Sequence, residues 1–154
     1  MPALEHLIYA SVAAQTFGAR QLAELLQKAR ASNELHGLTG MLLHSDADGS
    51  FFQVLEGEPA AISQLWQRIL LDKRHSHLTL IIRESIPERS FAGWTMGFSS
   101  VSQEKLRRVP GLNDFFRKGS SFNELDAGRA KKLLSAFVEG RWRPKHLGAT
   151  RKVA

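Results

Sequence analysis

Apolar residues recur along this chain with two different periods, and the change from one to the other marks out its elements. Leu7-Ile8-Tyr9-Ala10 is a continuous apolar run, which predicts a strand over residues 5–11. Leu22, Leu25, Leu26 and Ala29 then return every three or four residues in a stretch rich in Ala, Leu, Glu, Gln and Lys. That spacing predicts a helix over 19–32, stopping near Asn33 ahead of Gly37. Two strands are predicted next, over 38–45 and 51–56, joined by Asp46-Ala47-Asp48-Gly49, which has the chemistry of a short hairpin loop. Gly57-Glu58-Pro59 breaks the second of these and starts another helix, in which Ile62, Leu65, Trp66 and Ile69 share one face. A fourth strand is predicted over 78–86 and a fifth over 95–101.

The order βαββαβ plus one strand is the ferredoxin-like α+β pattern, a mixed sheet with two helices on one face. Phe51, Gln53 and Leu55 point to one face of the third strand, and Phe52 and Val54 to the other. Both faces are apolar, so both need a cover. The two helices cover one. The C-terminal region supplies the other cover, because Leu133, Leu134, Phe137 and Val138 recur at helical spacing and Phe115 and Phe116 add bulk.

Charge divides the chain at the same place. Residues 1–101 carry eight Lys/Arg against ten Asp/Glu, and residues 102–154 carry thirteen against five. We therefore expect a near-neutral domain over 1–101 and a basic helical extension over 102–154, with a frayed basic end from Gly148 onward. Hydrophobic content of 43% and charged content of 23% fit one globular domain and its extension. The absence of cysteine excludes disulfides, thiolate metal sites and thiol catalysis. There is no apolar run of the roughly 20 residues a membrane helix needs, and no secretory signal, so a cytoplasmic location away from membranes is expected.

Two polar side chains stand inside apolar strands. Tyr9, the sole tyrosine, and Gln53 lie on strands that neighbour each other in a βαββαβ sheet, so they fall within hydrogen-bond reach on one face. Such a pair is either a satisfied packing contact or the polar part of a pocket. Asn33 is either a helix C-terminal residue or a carboxamide that reads a heterocycle edge. Asp72-Lys73-Arg74-His75 closes the second helix, where cations complement the dipole or, at a pocket mouth, hold hydroxyls or phosphate. Trp94 and Met96 alternate with Phe98 onto one face, as core or as neighbours of a flat aromatic ligand. The chain has no GxGxxG, P-loop, HExxH or GxSxG, and its histidines lack metal-ligand spacing backed by carboxylates. Neither an enzyme nor a metal site is expected.

Six segments in this order resemble the BLUF family of flavin-binding blue-light sensors. They are Leu7-Ile8-Tyr9-Ala10-Ser11, Ala29-Arg30-Ala31-Ser32-Asn33, Gly37-Leu38-Thr39-Gly40-Met41-Leu42-Leu43, Phe51-Phe52-Gln53-Val54-Leu55-Glu56-Gly57, Asp72-Lys73-Arg74-His75 and Phe91-Ala92-Gly93-Trp94-Thr95-Met96-Gly97-Phe98. The resemblance covers about residues 4–100. It implies that FAD (or else FMN or riboflavin) lies between the two helices. It also implies that Tyr9 is the photoactive tyrosine, Gln53 the switching glutamine and Asn33 the ring-binding asparagine. Asp72, Arg74 and His75 would serve the ribityl and phosphate side, and Trp94 and Met96 would relay the signal. His44 departs from the family, which usually has a tyrosine there.

The function so implied is a photoreceptor without a fused output domain, in which light drives a Tyr9/Gln53 hydrogen-bond switch. Its signal would pass to a separate, unidentified protein, with a homo-oligomer expected and nucleic acid not expected as a partner. The alternative is a basic nucleic-acid-binding module acting through residues 102–154, which predicts binding that weakens steeply with salt. A small ferredoxin-like enzyme is a third reading, resting on fold analogy alone.

Overall fold

The computed structural model describes residues 3–13, 18–46 and 48–139. The expected basic end from Gly148 onward lies outside them. Five strands, β1 (Leu4–Ala13), β2 (Thr39–Ser45), β3 (Ser50–Gly57), β4 (His75–Ile86) and β5 (Gly97–Val101), form one sheet in the order β4-β1-β3-β2-β5. All neighbours are antiparallel except β2 and β5, which run parallel. Helices α1 (Ala19–His36) and α2 (Pro59–Leu71) make the two crossovers. This is the expected ferredoxin-like sheet with an added fifth strand, carrying C-terminal helices α3 (Gln103–Arg107), α4 (Asn113–Arg117) and α5 (Ala127–Val138).

The alternation of β1 and β3 sorts the core into two layers. Leu7, Tyr9, Phe51 and Leu55 face α1 and α2 and pack with Leu26, Ile62 and Met96. Ile8, Ala10, Phe52 and Val54 face the other way, into a second cluster completed by Phe116, Phe122, Leu133 and Phe137 from the C-terminal region. That region is thus the second cover the apolar strands demanded. Val138, also expected on the packed face, is 37% exposed at the end of α5.

Two boundaries differ from expectation, each with a local cause. Helix α1 runs one turn past Asn33, because Gly37 adopts the left-handed conformation (φ 70°) and its N–H closes the helix end on carbonyls of Asn33 and Glu34. The stop signal is therefore the glycine, and Asn33 lies inside the last turn. Strand β5 starts only at Gly97, because Phe91–Trp94 forms a turn closed by the Trp94 N–H on the Phe91 carbonyl at 2.9 Å.

That turn corrects the expected side-chain alternation. Trp94, Met96 and Phe98 do not share a face. With Gly93 at φ 85° the chain is not extended there, so the two-residue period starts afresh. Trp94 enters the far layer, its ring edge-on to Phe137 at 5.9 Å, while Met96 and Phe98 belong to the layer under the helices.

Candidate functional site

Tyr9 and Gln53 are directly opposite each other in the β1/β3 register. The Tyr9 hydroxyl donates to Oε1 of Gln53, and Nε2 of Gln53 donates to the Met96 sulfur at 3.4 Å. All three side chains are buried. The amide is thus held at its oxygen by a phenol and at its nitrogen by a thioether, and sulfur is a weak acceptor. Little energy holds the nitrogen end in place, so this is an amide that can turn.

Helix α1 fixes the segment that carries Met96. Asn33 Nδ2 donates to the Thr95 carbonyl at 2.6 Å, and Arg30 Nε donates to the Met96 carbonyl at 3.1 Å. Burial lowers the Arg30 pKa. Beyond α2, Asp72 and Arg74 form a forked ion pair, with the shorter contact at 2.6 Å. Hydrogen bonding to Asp72 raises the Arg74 pKa further.

A cavity of about 260 Å³ lies between the two helices and the sheet. Tyr9, Gln53 and Met96 form its floor, and Leu25, Ala29 and Asn33 of α1 face Leu65 and Ile69 of α2 across it. Lys28, Arg68, Asp72 and Arg74 also line it. Apolar side chains from two helices, carboxamides on the sheet side and cations suit a flat heterocycle with polar edges and an anionic tail. The donor set therefore fits a flavin.

Of the residues expected at a site, Tyr9, Asn33, Gln53, Asp72, Arg74 and Met96 all line this cavity. Trp94 does not; it packs in the opposite layer. His75 opens β4, and its side chain lies outside the described residues. Lys28, Arg30 and Arg68 were not singled out from the sequence. Their only signal is position, since Lys28 and Arg68 each precede a residue of an apolar helix face, Ala29 and Ile69. His44 is 8% exposed, its ring 4.9 Å from that of Phe51, which itself lines the cavity. Burial lowers its pKa, with Asp46 and Asp48 opposing, so it is a neutral imidazole behind the cavity wall and not a surface group.

The Tyr9 phenol is pushed well above its ordinary value, first by burial and second by the negative charge of Asp72, with Arg74 opposing. It is a neutral phenol at neutral pH. In the unfolded chain it ionises near pH 10. The unfolded state then holds fewer protons than the folded one, so stability is undiminished below about pH 10 and falls as pH rises beyond it. Because Tyr9 is the only tyrosine, ultraviolet difference absorption reads this site alone. The tyrosinate band is expected to be absent from the folded protein at about pH 10.5 and to appear on adding denaturant. A band already present before unfolding would contradict the buried phenol.

Residues 4–97 match the model of a family described as BLUF, sensors of blue-light using FAD. The photoactivated adenylate cyclase subunit alpha of Euglena gracilis is 35% identical over 108 residues, which is 70% of this chain and 10% of that protein. The chain thus spans about a tenth of that curated relative and a similarly small part of the others. Two solved structures match almost end to end. BlrB, a BLUF protein in its dark state, is 27% identical with a TM-score of 0.67, covering 88% of this chain and 98% of its own. BlsA in its ground state is 30% identical with a TM-score of 0.72, covering 94% and 97%.

Proposed function

The chain belongs to the BLUF family, whose members sense blue light using FAD, and on that premise we propose that Tyr9 and Gln53 are its light-driven switch. The observation that carries this reading is the chain of contacts from the Tyr9 hydroxyl through the Gln53 amide to the Met96 sulfur, at the floor of the cavity. Bound flavin supplies absorption in the blue and, once excited, an oxidant. Burial keeps Tyr9 a neutral phenol, so when it gives up an electron the strongly acidic phenol radical cation that results releases its proton to Gln53, which already accepts from the hydroxyl. Gln53 relays that proton, an electron and a proton then return to the Tyr9/Gln53 pair, and the net change is an amide left rotated or tautomerised, which alters what it offers to the ring edge and to Met96. Asn33 holds the ring edge, while Asp72 and Arg74, with His75, serve the ribityl and phosphate side. No covalent bond to the ring forms, so the original arrangement returns thermally in the dark.

Met96 is the first residue to register the change, since its sulfur accepts from Gln53. Trp94, two residues before it, contacts Phe137 of α5. We read residues 1–101 as the sensor and 102–154 as the relay, with output delivered to a separate protein and not by catalysis in this chain. Residues 102–139 support a protein partner better than nucleic acid, because several of their cations are already paired: Arg108 with Glu104, Arg129 with Asp126 and Lys131 with Glu84.

The test is colour. Purified protein supplied with FAD is expected to be yellow and to show a reversible red shift under blue light. Tyr9→Phe is expected to bind flavin equally well and lose the shift. A colourless protein that takes up no flavin would defeat the reading, and a normally cycling Tyr9→Phe protein would defeat the role of Tyr9.

A further inference from the structure

The start of β4 is irregular, and it is held from outside the sheet. Ala10 pairs with Thr79 and Val12 with Ser76, so His77 and Leu78 together oppose Ser11 alone, a bulge in the strand. His77 takes the left-handed conformation there (φ 51°), which a residue with a Cβ adopts only at a cost. Asn123 sits against this bulge. Its Nδ2 donates to the His77 carbonyl and, at 3.1 Å, to the Thr79 hydroxyl oxygen. Asn123 belongs to a short 3-10 turn, Phe122–Glu124, seated by the buried Phe122, whose ring meets that of Phe52 on β3 with centroids 5.7 Å apart. The Asn123 Oδ1 is buried and accepts no hydrogen bond among the described residues, so stability alone does not explain an amide at this place.

Three residues before His77 stands Arg74, a cation of the cavity wall, in the stretch that joins α2 to β4. One end of that stretch is fixed where the Asp72 N–H closes α2 on the Ile69 carbonyl, and the other is fixed by the bulge. We propose that Asn123 is a positioning residue for the phosphate-bearing tail of the flavin, holding the β4 bulge so that Arg74 meets the phosphate. The inference rests on the flavin reading above. Asn123 lies beyond the matched residues 4–97, so part of the cofactor site is supplied by the C-terminal region. Without the amide the bulge relaxes, and Arg74 moves with the chain that carries it. A guanidinium–phosphate contact is directional and is lost on a small displacement. The floor of the cavity stands on β1, β3 and Met96 and is not disturbed.

Titration of the full chain with FMN and with riboflavin, followed by flavin fluorescence, isolates the phosphate, because the two ligands differ in that group alone. Asn123→Leu is expected to weaken FMN binding about tenfold, the worth of one hydrogen bond to a charged group, and to change riboflavin binding by less than about twofold. Asn123→Asp keeps size and polarity but has no hydrogen to give the His77 carbonyl, and is expected to do the same. Both variants are expected to fold, since the bond to His77 is exposed and water replaces it. In an Arg74→Gln background, where FMN binding is already weakened, Asn123→Leu is expected to add nothing, because its effect runs through Arg74. Unchanged FMN affinity in both variants, an equal loss for both ligands, or full additivity with Arg74→Gln overturns the assignment while leaving the flavin reading intact. Failure of the unaltered chain to bind either ligand overturns both.

Discussion

Gln53→Leu is expected to give a folded, yellow protein whose spectrum is unchanged by blue light. Leucine is one bond shorter than glutamine but of similar bulk, and it sits on the β3 face among Leu42, Phe51 and Leu55, so the apolar packing survives. What it removes is the oxygen that accepts from Tyr9 and the nitrogen that donates to Met96. Losing the acceptor weakens the bonding of a buried phenol, a cost of about 1–3 kcal/mol. A domain tolerates that loss. The effect on the switch is total, because the group that carries the proton and reorients is gone. Absorption difference spectra measured before and after illumination decide it, with flavin content measured alongside. A residual red shift of ordinary size would mean that Gln53 is not the moving part.

Such a substitution could be chosen from the sequence, because the order of strands makes β1 and β3 neighbours and the resemblance to the BLUF family singles out Tyr9 and Gln53; the register that sets them directly opposite each other is what the structure adds. Alternation in β3 also separated its two layers correctly, since an unbroken extended strand obeys a period of two. The same rule failed at Trp94 and Met96. There the left-handed Gly93 and the Phe91–Trp94 turn interrupt the strand, and a period counted across an interruption has no meaning. Asn33 was placed at the helix end when the true terminator is four residues on at Gly37, whose left-handed cap is a backbone property. Lys28 and Arg68 became visible only when two helices far apart in sequence were brought against the same cavity, and Arg30 only through its bond to the Met96 carbonyl. The fold is thus carried by local periodicity, while the walls and tethers of the site are carried by contacts between distant segments.

Glu56 is the clearest of those tethers, and its removal is the second large effect expected. Its place at the end of an apolar strand marks it as a terminus, yet its side chain is completely buried. One carboxylate oxygen accepts from the Thr39 hydroxyl at 2.9 Å and the Phe91 N–H at 3.0 Å, and the other accepts from the Ser90 N–H at 2.6 Å. Arg89 completes the clamp, donating to the Glu56 and Gly37 carbonyls. The stretch entering Trp94, Thr95 and Met96 is therefore fastened to β3 three residues beyond Gln53. Hydrogen bonds to a carboxylate are the stronger kind, and orphaned buried donors are costly. Glu56→Ala is expected to destabilise the protein by about 2–4 kcal/mol, seen as a lower urea midpoint with an unchanged slope. Glu56→Gln keeps the shape but turns one acceptor into a donor facing an N–H, and is expected to cost about 2 kcal/mol. In both, the loosened segment no longer holds the Met96 sulfur steadily against Gln53, so dark recovery is expected to change while flavin binding persists. Midpoints equal to that of the unaltered protein would show that the clamp is not a structural tie. An unchanged recovery rate in a destabilised protein would instead show that it stabilises the fold without steering the switch.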